Sequence, residues 1–226
     1  MSRAVHKPLP HDSAEAHVRG AAPYIDDLPE PKGTLHLAPI AAPVARGRIT
    51  AADYAAVAAA PGVVRVITAA DIPGVNDCSP SIGGDPILAD GAVIFHHQVV
   101  ALVAAETRIA ARRAARLARI EVAEEPPLVD VEDALRVDAT VLPDYAFRRG
   151  EAERVVGTSP QWIEGALRIG GQEHFYLEGQ AALAIPGEAG DVTVHSSTQY
   201  PNEVQHIIAR MLNLPIDDLL AHSHEE

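Results

Sequence analysis

The stretch "GGQEHFYLEGQ", residues 170 to 180, sets two carboxylates and an imidazole close together. Glu173, His174 and Glu178 are residue types of general acid–base chemistry, in which a positioned side chain gives or takes a proton. In an extended segment Glu173, Phe175 and Leu177 share one face, and His174, Tyr176 and Glu178 share the other. A face of His, Tyr and Glu forms a mutually satisfied polar layer, so support is the role expected of it, with catalysis the alternative. Gln199 lies in "STQYP", after the apolar run "DVTVHSS" and before Pro201, which suits the first position of a helix. A strand-to-helix turn directs main-chain N–H groups and a positive dipole end outward, which favours an oxyanion or a metal-oxo group. A glutamine amide there can donate to such an oxygen; without further information it simply caps the helix or faces water.

Eleven histidines raise the question of a metal. His96 and His97 are adjacent, so in a strand they point to opposite faces and do not chelate together. His222, His224, Glu225 and Glu226 could hold a divalent ion loosely, but a polar tail accounts for them and is the reading taken. Cys78 is the only cysteine, which excludes an internal disulfide and an iron–sulfur cluster ligated by this chain's own thiolates. Neither a phosphate-binding glycine loop, nor a G-x-S-x-G elbow, nor an H-E-x-x-H helix occurs. No self-sufficient catalytic set is therefore assigned, and no metal ligand.

The elements that must position these residues follow from pattern. Turn residues up to Gly33 precede a short strand at Leu35 to Ile40. "ITAADYAAVAAAPG" predicts a helix, with Thr50 and Asp53 as an N-cap pair and Pro61-Gly62 as the stop. "VVRVIT" is a strand, and residues 71 to 91, rich in Gly and Pro, form a long surface loop. "VVALVAAETRIAARRAARLARIEV" predicts strand, helix, strand, with Thr107 as cap and an inward stripe of alanines and Leu117. Arg112, Arg113, Arg116 and Arg119 fall on that helix and are taken as a solvated face.

Residues 126 to 157, with Pro126, Pro127 and Pro143 and no sustained period, predict an extended connector. Beyond it "QWIEGALRIG", "QAALAIPG" and "DVTVHSS" predict three strands. "YPNEVQHIIARMLNLP" predicts a helix whose Val204, Ile207, Ile208 and Met211 match one apolar face. No element is assigned to "IDDLLAHSHEE". The result is an α/β chain with domains at 1–125, 126–157 (connector) and 158–226.

Bulk composition narrows the partners. The chain has 226 residues, 47% hydrophobic, with a net charge of −13. That charge argues against nucleic acid, whose phosphates are bound by basic side chains. No run approaches the roughly 18 apolar residues of a membrane helix. The N-terminus has no apolar segment of the secretory kind, so a cytoplasmic location is expected.

Taken in order, "KPLPHDSAEAHVRGAAPYIDDLP", "GTLHLA", "PGVVRVITAADIPGVND", "DPILADG", "GGQEHFYLEGQAALAIP" and "VHSSTQYPNEVQHIIARMLNLP" resemble the start of the molybdopterin-binding large subunit of bacterial xanthine dehydrogenases. The likeness runs from about residue 7 to residue 215, and "QEHFYLE" is similar to the xanthine branch rather than the aldehyde or carbon monoxide branches. It implies an α/β hammerhead domain followed by the incomplete first part of a molybdenum-cofactor-binding domain. It implies hydroxylation of xanthine or hypoxanthine at a molybdenum-molybdopterin centre, as in purine catabolism. Electrons then pass through iron–sulfur clusters and FAD on a partner chain to NAD. Gln199 matches the family glutamine that hydrogen-bonds the molybdenum oxo ligand, and is the one cofactor-binding residue carried over. In "HHQV", His97 stands where the family has glycine.

In the family the last helix leads into another strand and a glycine-rich "GGGFGGKE" loop. Here the chain reads "IDDLLAHSHEE". That loop, the substrate-binding glutamate and arginine, and the general-base glutamate are expected from the remainder of the subunit or from a separately encoded chain. The chain by itself is expected to be a fragment, inactive towards xanthine. The alternative is a non-enzymatic hammerhead remnant that acts in binding or assembly.

Overall fold

The computed structural model describes residues 7–223, which fall into two compact units: the chain up to Pro126 together with Tyr176 onward, and Pro127–Phe175. His224, Glu225 and Glu226 lie outside the described residues. The first unit opens with α1 (Ala14–Val18), β1 (His36–Ala41), β2 (Gly47–Asp53), α2 (Ala55–Ala58) and β3 (Val63–Thr68). It continues with β4 (Ala92–Val93), β5 (Val99–Ala105), α3 (Arg108–Ala115) and β6 (Arg119–Glu124). Two three-stranded antiparallel sheets result, in the orders β1-β5-β3 and β4-β2-β6.

The central strand β5 reads VVALVAA and is buried along most of its length. Small side chains let α3 lie close to it. Ala111 and Ala114 of the helix are buried, next to Ala101, Val103 and Ala105 of the strand. Val57 of α2 and Ile40 of β1 close the same core. Each fully buried valine contributes about 1.5–3 kcal/mol over its exposed state. Thr107 caps α3 as expected, its hydroxyl accepting from the Ala110 N–H at 3.1 Å. Leu117, expected to face inward, is instead half exposed beyond the end of α3, and alanines alone form the buried stripe.

The helix expected from Ile49 onward is mostly strand. Thr50 and Asp53 belong to β2, and α2 spans only four residues, with Asp53 accepting from the Ala55 N–H at 2.9 Å. Pairing of β2 with β4 and β6 outweighs the helix propensity of its alanines. The long loop after β3 is tied internally: Asn76 donates to the Leu88 carbonyl at 2.7 Å and accepts its N–H at 2.9 Å, while Leu88 and Ala89 are buried. His96 and His97 sit in a turn rather than a strand. His97 takes a φ of 64°, and the two rings lie 3.9 Å apart rather than on opposite faces.

The second unit carries two short helices where no element was expected: α4 (Val131–Arg136), capped by Asp130, and α5 (Ala152–Thr158). The predicted strand in "QWIEGALRIG" does not form. Ile163, Leu167 and Ile169 are exposed, and among the described residues no strand pairs with them. Alternation marks strand potential, but a strand needs a partner ladder to exist.

The chain re-enters the first unit and forms β7 (Ala182–Pro186), β8 (Val192–Ser196), α6 (Pro201–Leu212) and β9 (Leu219–Ser223). β7 pairs antiparallel with β8, and β9 lies parallel to β8 on its other side. Thus β8, α6 and β9 make a strand–helix–strand crossover. The stretch read as a polar tail is a strand as far as Ser223, with Leu219 buried and His222 opposite His195 in the ladder. Val204, Ile207, Ile208 and Met211 are half-buried, so the apolar face of α6 is partly covered. Among the described residues no helix is long and apolar enough to cross a membrane.

Candidate functional site

Gln199 occupies the turn between β8 and α6, exposed and without a hydrogen bond among the described residues. The turn around it is fixed by its neighbours. The Ser197 N–H donates to the Ala181 carbonyl at 3.1 Å, and the Ser197 hydroxyl accepts from the Ala181 N–H at 2.9 Å, extending the β7–β8 ladder past its last paired residues. The Thr198 hydroxyl accepts from the Tyr200 N–H at 3.1 Å. Pro201 then starts α6 at a position where a missing N–H costs nothing.

The first turn of α6 is left with donors to spare. Tyr200 caps the helix without a side-chain bond, and its carbonyl takes the N–H groups of Glu203 and Val204. The Asn202 N–H has no acceptor among the described residues. The exposed Gln199 and the unbonded Asn202 N–H therefore lie three residues apart at the positive end of a twelve-residue helix. This donor set matches an oxygen acceptor carrying negative charge. Such donors offer hydrogen bonds rather than metal ligands, and among the described residues no group of three or more His, Cys, Asp or Glu is arranged to hold a metal ion.

The other candidates separate. Phe175 takes a left-handed φ of 54°, which breaks the extended alternation expected over residues 173 to 178. Glu173 accepts from the Phe175 N–H at 3.4 Å, and both are exposed. Glu178, in contrast, is only 7% exposed, and its Oε1 accepts the Ile25 N–H at 2.8 Å, joining residues 153 apart in sequence. Its Oε2 is buried without a hydrogen bond among the described residues. Glu178 is thus tied to the main chain of Ile25, a partner outside the His-Tyr-Glu face read from its own segment. Nothing in the sequence marks Ile25 as its partner, because the contact is long-range. His195 and His222 stack at 5.2 Å between β8 and β9.

This geometry, two small antiparallel sheets around an alanine helix and then a strand–helix–strand unit opening on a donor-rich turn, defines an α/β hammerhead with a cofactor-domain segment. Residues 19–126 match the family described as aldehyde oxidase and xanthine dehydrogenase, a/b hammerhead domain, and residues 137–225 match the molybdopterin cofactor-binding domain. The chain is similar to the xanthine dehydrogenase of Dictyostelium discoideum, with 35% identity over 93% of this chain and 15% of that protein. It is equally similar to aldehyde oxidase 4 of Mus musculus, with 36% identity over 96% of this chain and 16% of that protein. Its structure superposes on the aldehyde oxidoreductase of Desulfovibrio gigas with a TM-score of 0.81 and 28% identity, covering 93% of this chain and 25% of that one. The chain belongs to the xanthine dehydrogenase and aldehyde oxidase family of molybdenum hydroxylases, and it spans about a sixth of the length of the curated relatives it matches.

Proposed function

We propose that this chain supplies the hammerhead and one wall of the molybdenum-cofactor site in a xanthine dehydrogenase, with Gln199 as the residue that holds the cofactor. The observation that carries this reading is the exposed Gln199 amide beside the free Asn202 N–H at the start of α6. When bound, molybdenum-molybdopterin supplies the redox chemistry that hydroxylates a purine carbon. The part of this chain is to present the Gln199 amide N–H to an oxygen of that group, held in place by the Ser197–Ala181 pairing and by Pro201. A donor fixed before the ligand arrives needs no reorganisation on binding, which is the basis of electrostatic preorganisation.

Xanthine or hypoxanthine as substrate rests on the "QEHFYLE" segment. Overall identity does not separate the branches, since a xanthine dehydrogenase and an aldehyde oxidase match almost equally. The domains run 1–125 for the hammerhead, 126–157 for the connector and 158–226 for the start of the cofactor domain. The remaining pocket wall, with the base, comes from the rest of the subunit or from a separate chain. Iron–sulfur clusters and FAD reside on a partner chain that delivers electrons to NAD, in the cytoplasm. The chain alone binds no molybdenum and oxidises no xanthine.

Elemental analysis of the pure chain, and pull-down of the tagged chain from cells expressing the other components, test this. The reading expects no molybdenum in the first experiment, and flavin and iron in the second. Molybdenum with xanthine turnover in the pure chain, or a pull-down free of flavin and iron, overturns it.

A further inference from the structure

A cleft of about 890 Å³ runs between the outer edge of β1 and the outer edge of β6, floored by the C-terminal end of α3. Both strands are the last in their sheets on that side, so neither edge is occupied by another strand. Pro39 lies in β1 and lines the cleft, and a proline cannot donate to an added strand, which disfavours extension of that sheet. The walls combine apolar Ile40 and Pro39 with the guanidinium groups of Arg112, Arg116 and Arg119; Glu121 is the one carboxylate among the lining residues.

The arginines are unusual for this molecule. The chain carries 31 acidic against 18 basic residues, and most arginines elsewhere are matched, among them Arg19 to Glu15, Arg46 to Glu125, Arg65 to Asp71 and Arg210 to Asp77, while Arg48 and Arg149 stand without an ion pair among the described residues but apart from one another in sequence. Among the described residues Arg112, Arg113, Arg116 and Arg119 form no ion pair, although carboxylates are abundant. Basic residues at the end of a helix complement its dipole, by about 0.3–1 kcal/mol each, which accounts for a charge near the end of α3. The dipole gives no reason for Arg119, which belongs to β6, to line the same cleft. Arg112 and Arg116 are four apart, so they stand on one face of the helix and repel one another unless an anion lies between them.

We propose that this cleft docks an acidic, extended polypeptide segment of a partner chain. Carboxylates of the segment pair with Arg112, Arg116 and Arg119, and its small apolar side chains lie on Ile40 and Pro39. Guanidinium forks bind carboxylates in bidentate fashion, which gives such a surface orientation as well as affinity. Charge complementarity selects the occupant: three free cations in a cleft with an apolar floor, on a molecule whose net charge of −13 repels a long polyanion such as nucleic acid. The inference does not depend on the molybdenum reading, and its test involves no cofactor.

Fluorescence anisotropy of the full chain with a labelled, capped peptide of alternating glutamate and alanine tests it. Binding is expected at low ionic strength, weakening as the Debye length shrinks. Arg112→Gln/Arg116→Gln should weaken it by at least about tenfold. Arg149→Glu, which changes the net charge by the same amount outside the cleft, should leave it within about twofold. All three arginines are exposed, and circular dichroism confirms folding of each variant. Absence of binding at low salt, equal binding by the double variant, equal loss in Arg149→Glu, or tighter binding of an oligothymidylate of equal charge each overturns the proposal.

Discussion

The main-chain N–H of Gly74 donates to the carbonyl of Met211 at 2.9 Å, so a loop of the hammerhead caps the C-terminal end of α6. The Val75 N–H adds a bond to the Arg210 carbonyl at 3.2 Å, and Arg210 returns a bond to the Asp77 carbonyl at 2.7 Å. The last four carbonyls of a helix have no partner within it, and here the loop supplies donors. A Cβ on Gly74 would stand 2.0 Å from the Arg210 carbonyl oxygen, which no backbone tolerates. Gly74→Ala should therefore destabilise the chain by about 2–4 kcal/mol in urea titration. Gly157→Ala in α5, where nothing lies within 4 Å, should shift stability by no more than about 1 kcal/mol, in the stabilising direction.

Glu178 provides the second tie. Glu178→Ala removes the acceptor of the buried Ile25 N–H, and an orphaned donor costs about 1–3 kcal/mol. Glu178→Gln keeps an oxygen for that N–H and removes a charge from a buried site, so it should cost less than the alanine variant. Thermal melts of the two variants check the order; equal losses would show that the bond to Ile25 contributes nothing.

Asp71 makes stability depend on acid. The Thr68 N–H, the Arg65 guanidinium and the Thr68 hydroxyl, all within 2.8 Å, hold its carboxyl down to about 2 from an ordinary value of 3.8. A carboxylate depressed by folding stabilises the native state above its unfolded value and loses that contribution as pH falls towards its folded value. Between about pH 4 and pH 2 the urea midpoint should fall, and Asp71→Asn should lower it at neutral pH while flattening that decline. A parallel decline in the variant would assign the acid sensitivity elsewhere.

His97 holds a φ of 64°, a region that glycine enters without cost and most other residues do not. His97→Gly should raise stability by about 0.5–1 kcal/mol, the relief of the strained backbone exceeding the flexibility gained by the unfolded chain and the lost ring contact with His96. Denaturant midpoints of the two forms measure it, and a lower midpoint for glycine would contradict it.

Local signals in the sequence served well where the chain bonds to itself nearby. Thr107 before an alanine-rich run, Pro201 before an apolar stripe and the β-branched "VVRVIT" all became the elements they indicate. They failed where pairing partners decide. Thr50 reads as a cap but joins β2, because β6 pairs with Ile49 and Ala51 on either side of it. "LLAHS" carries no readable element in the sequence but becomes β9, because β8 offers it an edge. Ile163 and Leu167 read as strand but find no ladder among the described residues. At the candidate site the position of Gln199 on its turn was legible, since it follows from a strand ending and a proline beginning. The burial of Glu178 against Ile25 was not, since nothing local encodes a contact across 153 residues.

The central claim is that Gln199 donates to a cofactor oxygen in a site completed by other segments. Xanthine-dependent NAD reduction by the co-assembled enzyme, comparing the parent with Gln199→Ala, tests it most directly. Because the side chain is exposed and makes no bond of its own among the described residues, the variant should fold and assemble normally. The account predicts a fall in kcat of about 100-fold, the scale on which single preorganised donors act. Full turnover by a correctly assembled Gln199→Ala enzyme would contradict it.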